Sequence, residues 1–258
     1  MTRRRIVLEW TALIAGSLAL WEFSVKQGWL GKTVVAAPSD ILTSIIDLAQ
    51  ESTVRGDFLR VIGYIVVAFI VGSIAGILLG LLLGTSRYMY RVLYPFLLVW
   101  FSTPTLIFIP IMILIFGVGG ELKIAYGVLA AIPSMAVTVA AGVQMVDPRL
   151  VHTARSMGAG RLRIARSVTL PGTIPAVMTG LRYSLNHVLL GVVLAELFAS
   201  SAGLGLTIKL YSAALRTDQV YALLFSLAIA SILLAIGLAK FERRVMRWQT
   251  TNQSVEVG

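Results

Sequence analysis

The sequence predicts an all-α membrane protein with six transmembrane helices. Of its 258 residues, 57% are hydrophobic and only 13% are charged, and the mean hydropathy is +0.86. A soluble protein of this length cannot normally bury so much apolar surface, whereas runs of about twenty apolar residues are long enough to cross a bilayer. We expect residues 1–258 to form a single domain. The predicted spans are 6–25, 61–84, 92–116, 124–146, 176–200 and 220–239.

Charge and composition exclude several classes of protein. The net charge is +10, but the basic residues stand at the ends of apolar runs rather than in one patch interleaved with aromatic residues. This arrangement is typical of membrane proteins and does not indicate a nucleic-acid partner. The chain has no cysteine and two histidines, His152 and His187. We therefore expect no disulfide, no cysteine nucleophile and no histidine-built metal centre.

The first span has two interpretations. A basic start followed by an apolar run is also typical of a signal peptide. Glu9 interrupts the run, however, and no small-residue cleavage site follows it promptly. We therefore favour a retained helix. After it, residues 38–49 predict an amphipathic helix that lies along the membrane surface or against the spans.

The second span carries a stripe of small residues. Gly72, Gly76, Gly80 and Gly84 recur every four residues and therefore share one helix face. Such a stripe allows a neighbouring helix to approach closely, which is a common basis for helix association in lipid. It predicts packing rather than a solute path.

The third span contains three prolines, Pro95, Pro104 and Pro110. Backbone carbonyls freed by proline are tolerated in a span where protein or a water-filled cavity satisfies them. We therefore select residues around Pro104 as candidates for lining a pathway, with a kinked packing helix as the alternative. These candidates are Phe101, Ser102, Thr103 and Thr105.

The fifth span carries four polar or ionisable residues, Arg182, Asn186, His187 and Glu196. Such groups usually face protein or water rather than lipid. They complete the predicted pathway set, with a structural role as the alternative for Asn186 and His187. Arg182 is near one end and can instead extend towards the interface. Lys123 is expected outside the membrane, where it precedes the fourth span.

An arginine-rich segment, 147–175, separates the fourth and fifth spans. Asp147 suits a helix N-cap, Pro148 the first helical position and Gly158 a left-handed helix end. Leu150, Val151, Ala154 and Met157 fall on one face of this helix, and Arg149, His152, Arg155 and Ser156 fall on the other. A second helical piece, 161–169, is expected to stop before Leu170 and Pro171. The pattern favours a folded docking element over a solvated loop.

The distribution of basic residues predicts the orientation. If the amino terminus is inside, the inner segments hold twice as many lysines and arginines as the outer segments. The positive-inside rule then places both termini and segment 147–175 in the cytoplasm.

The sequence contains no energy source that we can identify. Gly31-Lys32-Thr33 has the end of a phosphate-binding loop but lacks the glycine five residues earlier. An ion-coupled transporter remains an alternative, with Glu196 as thin support for a proton relay. An intramembrane enzyme would need a catalytic pair, and only scattered single residues are present. We therefore assign no catalytic residue.

Segment 147–175 resembles the EAA loop of ABC-importer permeases. That pattern is E-A-A, three residues, G, nine residues, then I-x-L-P. Here His152-Thr153-Ala154, Gly158 and Val168-Thr169-Leu170-Pro171 stand at those places, with His152 and Thr153 replacing the glutamate and first alanine. Further similarity over residues 38–247 indicates the nitrate, sulfonate, taurine and bicarbonate class. It includes Leu59 to Gly84, Gly180-Leu181-Arg182, Val193 to Glu196 and Gly203-Leu204-Gly205.

This resemblance implies the architecture of a type I ABC-importer permease in a prokaryotic inner membrane. It implies a second permease copy, two separate ATPase subunits that bind ATP and Mg²⁺, and an external solute-binding protein. The solute would be a small oxyanion or sulfonate, or a different small solute of the wider family. The matched segment would contact the ATPase through Pro148, Leu150, Val151, His152, Thr153, Ala154, Arg155, Met157, Gly158, Leu170 and Pro171.

Overall fold

The structure is a computed structural model that describes residues 3–31 and 33–246, with side chains described from Glu9 onwards. Sequence interpretations that involve Lys32 and Arg247 lie outside the described residues. The described chain is built from helices joined by turns, which confirms the predicted all-α class.

The chain divides into two compact units. The first consists of Met1–Arg60 and Ser200–Ala230. Its helices are α1 (Arg3–Lys26), α2 (Pro38–Gln50), the beginning of α3 (Ser52–Thr85), α10 (Leu204–Ala213) and α11 (Thr217–Val245) as far as Ala230. Polar contacts link α2 to α1 and to α11 in this unit. Glu22 accepts hydrogen bonds from the Ser39 amide and hydroxyl, and the Ser44 hydroxyl donates to Asp218 at 2.7 Å.

The second unit consists of Val61–Ala199 and Ser231–Gly258. It contains the rest of α3 and α11 and all elements that carry the candidate site. These elements are α4 (Arg87–Ser102), a 3₁₀ turn (Thr105–Phe108), α5 (Ile109–Phe116), α6 (Gly120–Gln144), α7 (Pro148–Ser156), α8 (Arg161–Ile164), a π-helical turn (Ala165–Thr169) and α9 (Leu170–Phe198).

Several helices are long and apolar enough to cross a membrane. Within the described residues these are α3, α6, the continuous helix Arg161–Phe198 and α11. The bent pair Arg87–Ser102 and Thr105–Phe116 raises the number from four to five. The predicted span 6–25 forms helix α1, but α1 is not among these candidates.

The glycine stripe of α3 packs directly on α6, as predicted. Gly72, Gly76, Gly80 and Gly84 face Ala131, Met135, Val139 and Val143 in that order, so the two helices run parallel. A Cβ atom at these glycines would lie 2.5–2.7 Å from those side chains, which is closer than real Cβ contacts allow. The close packing of α3 and α6 therefore requires glycine at these positions.

The predicted third span, 92–116, is not one helix. The chain breaks at Thr103 and Pro104, and the segments on either side meet at 86°. Pro104 has no amide hydrogen to donate, and the hydroxyl of Thr103 instead donates to the Val99 carbonyl at 2.7 Å. Pro95 remains inside α4, and Pro110 occupies the first turn of α5, where no amide donor is needed.

Helix α6 is the centre of the second unit. It runs antiparallel to α9, with Gly142 against Ala176 near one end and Gly127 against Val192 near the other. Tyr126, Met135 and Val139 of α6 are fully buried. Because α3 packs along another face of α6, these three helices form a continuous core.

Candidate coupling loop and membrane path

Helix α7 is closed at both ends by the residues that the sequence indicated. The Asp147 carboxylate accepts a hydrogen bond from the Arg149 amide at 2.8 Å, and Pro148 starts the helix. At the other end Gly158 has φ of +81°, a conformation that favours glycine. The amides of Gly158 and Ala159 donate to the carbonyls of Arg155 and Ala154, both at 3.0 Å. This is a Schellman end, and it fixes the length of α7.

The apolar face of α7 is only partly covered. Val151 and Ala154 are half-buried, while Leu150 and Met157 are 56% and 82% exposed. The sequence left open whether these side chains pack on the second helical piece or on another protein. In this chain Leu150 and Met157 remain uncovered, so a rigid helix presents apolar side chains at the surface. His152 and Thr153, which replace the first two residues of the EAA pattern, are also exposed.

The prediction that the second helical piece stops before Leu170 and Pro171 is wrong. Arg161–Phe198 is one helix of 38 residues, and the predicted fifth span, 176–200, is only its later part. At Ala165–Thr169 the helix makes a π-helical turn, in which each hydrogen bond spans one residue more than in an α-helix. The Leu170 amide accordingly donates to the Ala165 carbonyl. Pro171 then directly follows the π-helical turn, which changes the hydrogen-bond pattern where the proline has no amide to donate.

The segment from α7 to α8 lies at one end of the α3–α6–α9 core. The Gln144 side chain at the end of α6 donates to the Gly84 carbonyl at the end of α3, at 2.6 Å. The turn from α3 to α4 is therefore at the same end. In the second unit this end collects the basic residues Arg87, Arg91, Arg149, Arg155, Arg161, Arg163, Arg166, Arg243 and Arg244.

The predicted pathway residues near the helix break meet α9. The Phe101 ring lies 5.7 Å from the His187 ring, measured between centroids. His187 is half-buried, and its Nδ1 lies 2.8 Å from the Tyr183 carbonyl oxygen. Ser102 is exposed beside the break, and Thr103 and Thr105 are half-buried on either side of Pro104.

Arg182 and Asn186 line a different place, an open cavity of about 570 Å³ between α9 and the end of α11. The Arg182 guanidinium donates to Glu242 of α11 at 2.5 Å. Sequence reasoning missed Glu242 as the counter-ion. An arginine inside a span usually needs a carboxylate partner, and this requirement could have indicated such a residue.

Glu196 lies at the opposite end of α9 and is paired with Lys123 of α6. The Lys123 ammonium is 2.6 Å from the Glu196 carboxylate, and the side chains are 7% and 2% exposed. Lys123 was expected outside the membrane, where it precedes the fourth span; the structure shows that its side chain is buried among the helices rather than exposed to solvent. The eight predicted pathway residues thus occupy three places: the helix break with His187, the cavity beside α11, and the buried ion pair.

Comparison with known proteins identifies the family of this chain. Residues 72–247 match the family described as "binding-protein-dependent transport system inner membrane component". The chain belongs to this family. The recognition from the EAA spacing is therefore confirmed, and the protein is a multi-pass membrane permease of a binding-protein-dependent importer.

Relatives of this permease cover nearly its whole length. The taurine transport system permease protein of Escherichia coli (strain K12) is 29% identical over 240 residues, covering 91% of this chain and 87% of the relative. The putative aliphatic sulfonates transport permease protein of the same organism is 30% identical over 236 residues, covering 92% and 90%. The formylaminopyrimidine transport permease protein of Halalkalibacterium halodurans is 25% identical over 250 residues, covering 96% and 99%.

Proposed function

We propose that this permease forms the translocation path of an ATP-driven importer for a small sulfonate or related oxyanion. Two separate ATPase subunits dock on α7 and supply ATP and Mg²⁺, and a second copy of the permease completes the path. A solute-binding protein delivers the solute at the opposite side. The observation that carries the proposal is α7 itself: a helix capped at both ends, apolar at its exposed surface, and placed at one end of the membrane core.

The covalent path from α7 to the core supports this role. Only the four residues from Met157 to Gly160 separate α7 from the continuous helix Arg161–Phe198. A displacement of α7 by an ATPase would therefore act on one long helix rather than on a flexible linker. Rigid-body motion of helix groups is a common way in which nucleotide binding is converted into alternating access.

A six-span topology agrees with the packing. Because α3 and α6 run parallel, the chain must return through the core between Thr85 and Gly120, and α4 with α5 makes that crossing. Helix α1 is the proposed additional span. The basic residues at the α7 end support a cytoplasmic location for that end under the positive-inside rule. Both termini are then cytoplasmic, since the number of spans is even.

The proposed solute class rests on the relatives and on the polar side chains of α9. Two relatives are named for taurine and for aliphatic sulfonates. Arg182 and His187 are suited to charge-assisted hydrogen bonds with a sulfonate, and Asn186 and the hydroxyls near Pro104 to neutral ones. A tight site in the permease is not required, because the binding protein can supply selectivity.

Replacing Asn186 and His187 together with leucine is expected to lower sulfonate uptake about tenfold, the loss of about one hydrogen bond to a charged group. Association with the ATPase should stay unchanged, because both residues are far along α9 from α7. The assay is uptake of radiolabelled taurine into vesicles that contain the whole complex. Thr179→Leu is the matched control, since Thr179 is a polar, exposed residue of the same helix. Unaltered uptake by the double variant would remove these residues from the path.

The same vesicles distinguish the alternatives. Taurine, methanesulfonate, nitrate, bicarbonate and formylaminopyrimidine are supplied in turn with the binding protein. Uptake of sulfonates that requires ATP supports the proposal. Uptake of another compound alone would assign a different solute within the family. Uptake by the permease without ATPase subunits would indicate an ion-coupled transporter.

A further inference from the structure

Among the described residues of the second unit, the most deeply buried charges are Lys123 and Glu196, in the core at the end opposite α7. Their contact is 2.6 Å, and the Lys123 ammonium also lies 5.5 Å from the centre of the Tyr64 ring. Tyr64 belongs to α3 and packs closely on α6. A Cβ built at Gly120, one turn before Lys123, would lie 2.8 Å from the Tyr64 hydroxyl oxygen. One ammonium group thus joins α3, α6 and α9.

Stability alone is a poor explanation for this pair. Removing two charges from water is costly, and well-packed apolar residues usually serve a core as well or better. What a buried ion pair does provide is specificity of register, because a shifted arrangement leaves both charges without a partner.

The other contacts between α6 and α9 are steric. Gly142 faces Ala176, Gly191 faces Ala130, and Gly127 faces Val192. These small and apolar groups oppose a shift by overlap and carry no directional bond, whereas the ion pair does. Sliding by one helical turn, about 5.4 Å, would separate Lys123 from Glu196.

We propose that the Lys123–Glu196 pair locks α6 and α9 in register, so that a displacement of α7 moves α3, α6 and α9 as one body. Helix α9 continues from the α7–α8 segment, and without the lock only the packing of small side chains would oppose its sliding along α6. Tyr64 extends the lock to α3, and the Ser73 and Ser184 hydroxyls, 3.2 Å apart, tie α3 to α9 at mid-length. Glu196 is therefore a positioning residue rather than a contact for solute. This inference rests on the proposed function.

The first test replaces both charges, since a single replacement leaves one buried charge unpaired. The Lys123→Met/Glu196→Met variant is expected to insert, to associate with the ATPase and to hydrolyse ATP. Taurine transported per ATP hydrolysed should fall at least about fivefold, the lower end of ordinary coupling between sites. The control is Lys209→Met/Glu121→Met, which removes the same charges from exposed positions. A normal ratio in the core variant would overturn the proposal.

The second test uses the absence of cysteine in this chain. A Cβ at Gly191 would lie 3.2 Å from that of Ala130, close to the separation in a disulfide. A Gly191→Cys/Ala130→Cys disulfide across α9 and α6 is expected to leave transport unchanged, because the helices do not slide during the cycle. In the Lys123→Met/Glu196→Met background it should restore the ratio, and reduction of the disulfide should abolish that recovery.

The outcomes separate this inference from the proposed function. If the disulfide blocks uptake by the otherwise unaltered permease, α9 must slide along α6. That result would contradict the lock and leave the proposed importer function unaffected. If the unaltered permease fails to associate with an ATPase, the proposed function itself is contradicted.

Discussion

Replacing Leu150 and Met157 with glutamate is expected to abolish ATP-driven uptake. Both side chains are apolar and exposed on α7, and the proposed interface buries them against an ATPase subunit. A carboxylate buried there without a counter-ion would weaken association by about 3 kcal/mol or more, which is about a hundredfold. Co-purification of the ATPase with the tagged permease measures the association directly.

Ser156→Glu is the matched control for this pair of substitutions. Ser156 is exposed on the opposite face of α7, so its replacement adds a carboxylate without touching the apolar face. It should co-purify with the ATPase as the unaltered permease does. Equal loss of association in both variants would show that added negative charge, and not the apolar face, disrupts docking.

Replacing Gly80 with leucine is expected to prevent α3 from packing on α6. A Cβ alone at this position would lie 2.7 Å from the Val139 Cβ and 2.8 Å from the Ala136 carbonyl oxygen, and the backbone cannot yield as a side chain does. Overpacking of this kind lowers the free energy of unfolding by about 3 kcal/mol. We expect the detergent-solubilised protein to aggregate at a temperature about 10 °C lower.

Gly63→Leu provides the control within the same helix. Apart from its chain neighbours and the adjoining backbone of its own helix, no atom of the described residues lies within 4 Å of a Cβ built at Gly63, so leucine has room there. Its aggregation temperature should match that of the unaltered protein. If Gly80→Leu is equally stable, the close contact between α3 and α6 does not exist in the membrane.

Features that depend on neighbouring residues were predictable from the sequence. Asp147, Pro148 and Gly158 determine the ends of α7 by local hydrogen bonds and backbone preference, and all three act as predicted. The glycine stripe of α3 likewise indicated a close helix contact through its spacing alone. These signals need no knowledge of which helix is the partner.

Features that depend on residues far apart in sequence were not predictable. Lys123 stands near the start of an apolar run, and position alone suggests a boundary residue. Its burial follows from Glu196, which lies on another helix and is brought close only by antiparallel packing. The Arg182–Glu242 contact likewise joins two helices through residues that are far apart in the sequence.

Pro104 and Pro171 both lack an amide hydrogen, but the backbone responds differently at the two positions. At Pro104 the chain bends by 86°, whereas at Pro171 the helix continues through a π-helical turn. In both places the helix loses one amide donor. A break in the helix accommodates this loss at Pro104, and a π-helical turn accommodates it at Pro171, so residue type alone does not predict the result. Phe101, just before the bend at Pro104, lies against His187, a contact between helices that the sequence alone does not show.

Cysteine accessibility at position 157 tests the central claim most directly. Met157→Cys would carry the sole thiol of the chain, at the most exposed apolar position of α7. A membrane-impermeant maleimide should label it in inside-out vesicles but not in intact spheroplasts, and bound ATPase subunits should protect it. Labelling from the outer side, or labelling that is indifferent to the ATPase, would contradict a cytoplasmic α7 that docks the ATPase.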